Sequence, residues 1–166
     1  MKLPLASSLI IIITHTSFCQ NVDKNEVKRY TKVPNGYLMV LRQGDNIFQS
    51  LENFAIQEKI PAANFSGMGF VDVTFGFFDL KTKQYDPKEF KGMELASMLG
   101  TIAWKDGKPS IHSHGVGGDK SFQAYGGHIL STTVSTGSVE IMIIIHDKPF
   151  QRKKDEALGA DILEIE

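Results

Sequence analysis

From Ala62 to Ile145 the sequence is dominated by β-branched and aromatic residues, cut into runs by short turn signals. Such side chains fit a pleated, half-buried surface, so these runs predict strands. They are Ala62 to Asp79 (interrupted at Gly67-Met68-Gly69), Met93 to Lys105, Ser110 to Val116, His128 to Thr133 and Val139 to Ile145. Asp106-Gly107 is a hairpin turn. Tyr85 to Phe90 reads as a short edge strand, because Pro87 can donate nothing to a ladder. Pro34-Asn35-Gly36 is a turn that opens another strand, Tyr37 to Leu41. Helical periodicity occurs between these elements, where Ile47, Leu51, Phe54 and Ala55 share one helical face. Asp45 is the expected N-cap and Pro61 the terminator. The expected class is α+β, a largely antiparallel sheet with one main helix packed on it. Ile141 to Ile145 is apolar on both faces, so the helix covers one and a neighbouring subunit the other.

The ends of the chain read differently. Lys2, the apolar run Leu9 to Ile13 and Ser17-Phe18-Cys19 compose a secretory signal peptide over residues 1–19, cleaved before Gln20. That apolar run is too short to span a bilayer. Export to the periplasm or the exterior is therefore expected. Lipid anchoring at Cys19 is disfavoured by the bulky Phe18 in front of it. Residues 20–34 read as an N-terminal linker, 35–148 as the domain and 149–166 as a polar C-terminal tail.

Five histidines are present, and three of them lie between Ile111 and His128. His112 and His114 are two apart, so on a strand their rings project from one face. If the run after Gly126-Gly127 pairs back beside them, His128 joins the pair. Three neutral imidazoles around an open position suit zinc or another divalent transition metal. Cys19 is the one cysteine, so the mature chain has no disulfide and no thiolate ligand. Glu94 and Asp79 are candidates for a fourth ligand or for carboxylates that orient the imidazoles. His146 reads as a surface histidine, and Gly115, Gly117 and Gly118 as a turn with positive φ.

Several separated segments stand in a distinctive order along the chain. They are Tyr37-Leu38-Met39-Val40-Leu41-Arg42, Leu51-Glu52-Asn53-Phe54-Ala55, Ala63-Asn64-Phe65-Ser66-Gly67-Met68-Gly69 and Gly76-Phe77-Phe78-Asp79. The order continues with Glu94 to Gly100, Asp106 to His114 and Tyr125-Gly126-Gly127-His128-Ile129-Leu130. On these, Tyr37 to Ile145 resembles the plants and prokaryotes conserved domain (PPC or PCC domain) in its bacterial form. The resemblance implies a homotrimer, with His112, His114 and His128 gathered at a metal. It also implies DNA binding, because plant members carry AT-hook motifs beside the domain. No Arg-Gly-Arg-Pro core occurs in this chain.

Charge argues against DNA as a partner. The formal net charge is -1, and loss of Lys2 leaves 17 cationic against 19 anionic side chains. Phosphate neutralisation needs a basic surface. Arg152-Lys153-Lys154 is followed directly by Asp155-Glu156 and reads as a solvated tail. A cupin is excluded because Asp119 is the one nearby acid and His128 comes too soon. Ser113 and Ser121 show no Ser-His-Asp pattern, and no phosphate-loop or dinucleotide fingerprint is present. The expectation is an exported trimeric metal-binding protein of undetermined ligand or substrate, with a small molecule at the metal as one candidate. A metal-dependent enzyme and a DNA-binding protein are the alternatives.

Overall fold

The computed structural model describes residues 28–164. The expected signal peptide and its cleavage site lie outside them. Eight strands and one helix follow in the order β1 Tyr30–Val33, β2 Gly36–Arg42, α1 Ile47–Gln57, β3 Ala62–Asp79, β4 Gln84–Lys105, β5 Lys108–Gly118, β6 Ala124–His146, β7 Gln151–Asp155 and β8 Ala160–Glu164. The sheet runs β1-β2-β6-β3-β4-β7-β8, and β5 bonds to both β4 and β6. Every pairing is antiparallel except the Trp104–Gln151 contact of β4 with β7. At its first residues β6 pairs with β5 and β3, and at its last with β2 and β3. The strands β3, β4, β5 and β6 thereby close into a ring, and the three histidines lie on that closure.

The α+β expectation holds, with longer strands in the body of the domain. His128–Thr133 and Val139–Ile145 are parts of one 23-residue strand. The glycine and small residues near Thr136-Gly137-Ser138 bend it through register shifts opposite Gly69 and Phe70 rather than ending it. Likewise Tyr85–Phe90 and Met93–Lys105 are parts of β4. In the register, Pro87 pairs only with Gly76 of β3, and β5 begins farther along, so the proline sits where no second ladder needs its N–H.

Both ends of the domain carry structure that the sequence reading did not assign. Within the expected linker 20–34, Tyr30–Val33 forms β1 against β2. Where β2 starts against β6, the tight approach requires Gly36 (φ 143°), since a Cβ there would meet the Ile143 carbonyl oxygen at 1.9 Å. The expected polar tail 149–166 contains the β7–β8 hairpin, which docks on β4 at Trp104. Its turn is closed by Gly159 (φ 74°).

The helix buries its predicted stripe, Ile47, Leu51, Phe54 and Ala55. Its N-cap is Asn46 rather than Asp45, and the Asn46 Oδ1 accepts from the Gln49 N–H at 3.0 Å. Asp45 instead accepts from the Arg42 N–H at 2.8 Å and pairs with Arg29 at 3.1 Å. The helix face packs with Met39, Leu41, Phe65, Met98, Ile102, Ile141 and Ile143 into one core. Each such side chain contributes roughly 1.5–3 kcal/mol on leaving water. Alternation places Ile141 and Ile143 inward at 0 % exposure, whereas Met142 (40 %) and Ile144 (50 %) face out. Among the described residues no helix is long and apolar enough to cross a membrane.

Candidate metal centre

The site is built by register. On β5, His112 and His114 project from one face with Ser113 turned inward between them. Across the β5–β6 pair, His114 stands directly opposite His128. The three ring centroids are 5.0–5.2 Å apart, and one nitrogen of each ring lies within 4.8 Å of the others. In a tetrahedral zinc site with bonds of 2.0–2.1 Å, neighbouring ligand nitrogens are roughly 3.3 Å apart. Small χ rotations of three rings on two adjoining strands cover that difference. The donor set therefore fits a divalent transition metal with an open fourth position.

Electrostatics favours the same use. Burial pushes His128 down to about 4, reinforced by the neighbouring charges of His112, His114 and Arg152. His112 is lowered by burial first, then by Arg152 and His114. Near neutrality both rings keep a free lone pair, which is the form a metal takes. Tyr85 stacks on His128 with centroids 4.6 Å apart at 23°. Burial raises the Tyr85 phenol, so it stays a neutral donor at the rim. Gly76, paired with His128 on β3, leaves room for this ring: a Cβ there would meet Tyr85 and Leu130 at 2.8 Å.

The candidate carboxylates do not join the cluster. The Asp79 Oδ1 accepts from the N–H groups of Lys81 and Thr82 at 2.7 and 3.2 Å and caps the β3–β4 turn. Glu94 lies opposite Phe70 and Gly118, beside a separate cleft with Met68 and Phe122. His146 ends β6, with Nε2 2.5 Å from the Asn64 Oδ1 and its ring stacked on Phe150. Ser113 is buried and donates to the Leu99 carbonyl at 3.0 Å, so it is no nucleophile. Gly115, Gly117 and Gly118 do not form a turn but extend β5, where a Cβ at Gly115 would meet Ile129 at 2.9 Å.

Arg152 is the residue the sequence reading missed. It is 6 % exposed rather than solvated. Its Nη2 donates to the Thr101 hydroxyl, and Thr101 stands opposite His112 across β4–β5. Burial lowers the guanidinium from its ordinary range, and Asp161 acts the other way. A cavity of about 460 Å³ opens between it and the histidines. Nothing in Gln151-Arg152-Lys153-Lys154 marks one cation as buried. The one available signal was Gly159 before the apolar Ile162-Leu163, which announces a hairpin.

Fold and site together define a class: a small antiparallel β protein with one helix and a three-histidine pocket at its strand closure. The chain belongs to the Plants and Prokaryotes Conserved (PCC) domain family, whose model matches residues 28–147. A crystal structure from Ralstonia eutropha JMP134, provisionally described as a DNA-binding protein, is 50 % identical, with 83 % of this chain and 96 % of that one covered and a TM-score of 0.81. A plant- and prokaryote-conserved protein from Pyrococcus horikoshii is 28 % identical over 78 % and 92 %, with a TM-score of 0.70. A protein from Archaeoglobus fulgidus described as metal-containing is 29 % identical over 84 % and 99 %, with a TM-score of 0.72. No curated protein matches the chain.

Proposed function

We propose that this PCC-domain protein is exported, assembles as a homotrimer and holds zinc or another divalent transition metal through His112, His114 and His128. One observation carries the metal reading: three imidazoles offer nitrogens within 4.8 Å of one another, and burial keeps two of the rings neutral. The metal-containing description of the Archaeoglobus fulgidus relative supports it. When bound, such a metal supplies a Lewis-acidic position beside the cavity. Of the described residues lining that cavity, Asp161 is the one carboxylate, and Lys105 occupies both its oxygens at 2.7 Å. No general base stands free there, so capture of a small-molecule ligand is a better reading than hydrolysis.

The trimer reading rests on the outer sheet face. Leu99 is 60 % exposed and lies opposite Ser66, whose other neighbour is Met142. Leu99 also stands opposite His114, so a subunit covering this face borders the metal site. Metal analysis of the purified protein tests the centre. One transition metal per chain in the wild type and its loss in His128→Ala are expected; metal-free wild-type protein grown in zinc overturns the reading. Export is tested by N-terminal sequencing of the mature protein, expected to begin at Gln20. The descriptions of relatives raise DNA as a partner. Fluorescence polarisation at physiological salt is expected to show no specific DNA affinity.

A further inference from the structure

We infer that the cavity beside the histidines is an anion site, in which Arg152 grips the carboxylate or phosphate head of a small acid whose other end reaches the metal position. The contact with metal rests on the reading proposed above; the contact with Arg152 does not.

The positive charge of Arg152 is incompletely balanced. A guanidinium carries five N–H donors and no acceptor. In Arg152, Nη2 is engaged by Thr101, whereas Nε is buried and has no partner among the described residues. Burying a cation without an anion is strongly unfavourable. A hydroxyl supplies no counter-charge, and Asp161 in the same cavity is already bound to Lys105. Arg152, on β7, is therefore only partly balanced, by a carboxylate that Lys105 shares, and it lines a cavity large enough for a small organic acid.

The surroundings repeat the sign. Lys83, Lys105 and Lys154 line the same cavity, so among the described residues four cationic side chains stand against one carboxylate. Lys83 is fixed by donating to the Glu156 carbonyl at 2.9 Å. Low-dielectric walls concentrate the field of such a group of charges on the cleft they line. The Tyr85 hydroxyl, also at the cavity, makes no hydrogen bond among the described residues. Arg152 recognises a planar or tetrahedral oxyanion with a fork of donors that lysine lacks. The histidines at the other wall leave the remaining donor atoms of the acid for a metal. The cavity thus selects a small acid with two oxygen-bearing ends, not an extended polyanion.

The test is calorimetric titration of oxalate and of inorganic phosphate into the full chain, metal-free and zinc-loaded. Wild-type protein is expected to bind one or both, and the tighter of the two names the head group. Arg152→Met should weaken that binding by about ten- to a hundred-fold, as expected for a charge-assisted hydrogen bond, with zinc stoichiometry unchanged. If zinc fails to bind but the metal-free protein still takes the anion through Arg152, the inference stands and the metal reading falls. If zinc binds fully and Arg152→Met takes the anion as well as wild type, the inference is overturned and the metal reading stands. Absence of millimolar binding by wild type in both forms also overturns it. Should Arg152→Met fail to fold, Arg152→Lys decides, since it keeps the charge and loses the fork: equal affinity overturns the inference and weakened affinity supports it.

Discussion

The ring of Tyr85 lies stacked on that of His128, 4.6 Å between centroids. Its centroid is closer to that imidazole than those of His112 and His114, and burial is the leading cause of the low His128 pKa. Tyr85→Ala should move His128 up from about 4 toward the ordinary histidine value of about 6.5. The check is an NMR titration of the imidazole resonances in metal-free protein. No upward movement would show that the desolvation comes from elsewhere.

The same shift ties stability to pH. The unfolded chain binds a proton at His128 near pH 6.5, whereas the folded chain does so only near 4. The folded pKa is depressed, so the stabilisation is fully present above 6.5 and is lost as pH falls toward 4. His112 acts in the same direction. Glu58, lowered chiefly by the hydroxyls of Tyr30 and Tyr37, adds its own loss only below about pH 4.5. Denaturant melts of metal-free protein between pH 7.5 and 4.5 should fall steadily, and His128→Asn should flatten the slope.

Metal removal should destabilise the protein. Binding to the folded state adds about 2.7 kcal/mol when free metal is a hundred times its Kd. For a chain of this size that is a melting shift of roughly 5–10 °C. A chelator should remove it in the wild type and change nothing in His128→Ala. Equal melting temperatures with and without chelator in the wild type would refute a structural metal.

Covering of the outer sheet face has a simple readout. Leu99→Lys places a charge on the exposed face that also carries Met142 and Ile144, without touching the core. Light scattering should report a trimer for the wild type and a monomer for the variant, with unchanged circular dichroism. A wild-type monomer ends the trimer reading.

The core makes an independent prediction. Phe54 is 1 % exposed and meets Tyr30 and Tyr37 edge-on, each at 4.9 Å. Phe54→Ala should cost about 3–5 kcal/mol, seen as a lower denaturation midpoint at unchanged slope.

Much of this arrangement was written locally. The helix stripe at Ile47, Leu51, Phe54 and Ala55 is a matter of 3.6-residue spacing, and α1 buries those residues. Strand-like runs appear where β-branched and aromatic residues cluster. Their ends were harder to read, because a glycine such as Gly137 marks a bend as readily as a stop. Which one results depends on whether a partner strand bridges it, as β3 does here. The histidine spacing likewise placed His112 and His114 on one face without any fold.

The sequence by itself determined the class of the domain, its single helix and the two rings on one side of β5. These follow from side-chain periodicity, which acts over a few residues. Tertiary structure decided that His128 faces His114, that Asp79 and Glu94 stay apart from them, and that Arg152 is buried beside the cavity. Register between distant strands sets those distances. A charged side chain is buried only where another element, here β7 against β4, carries it out of water.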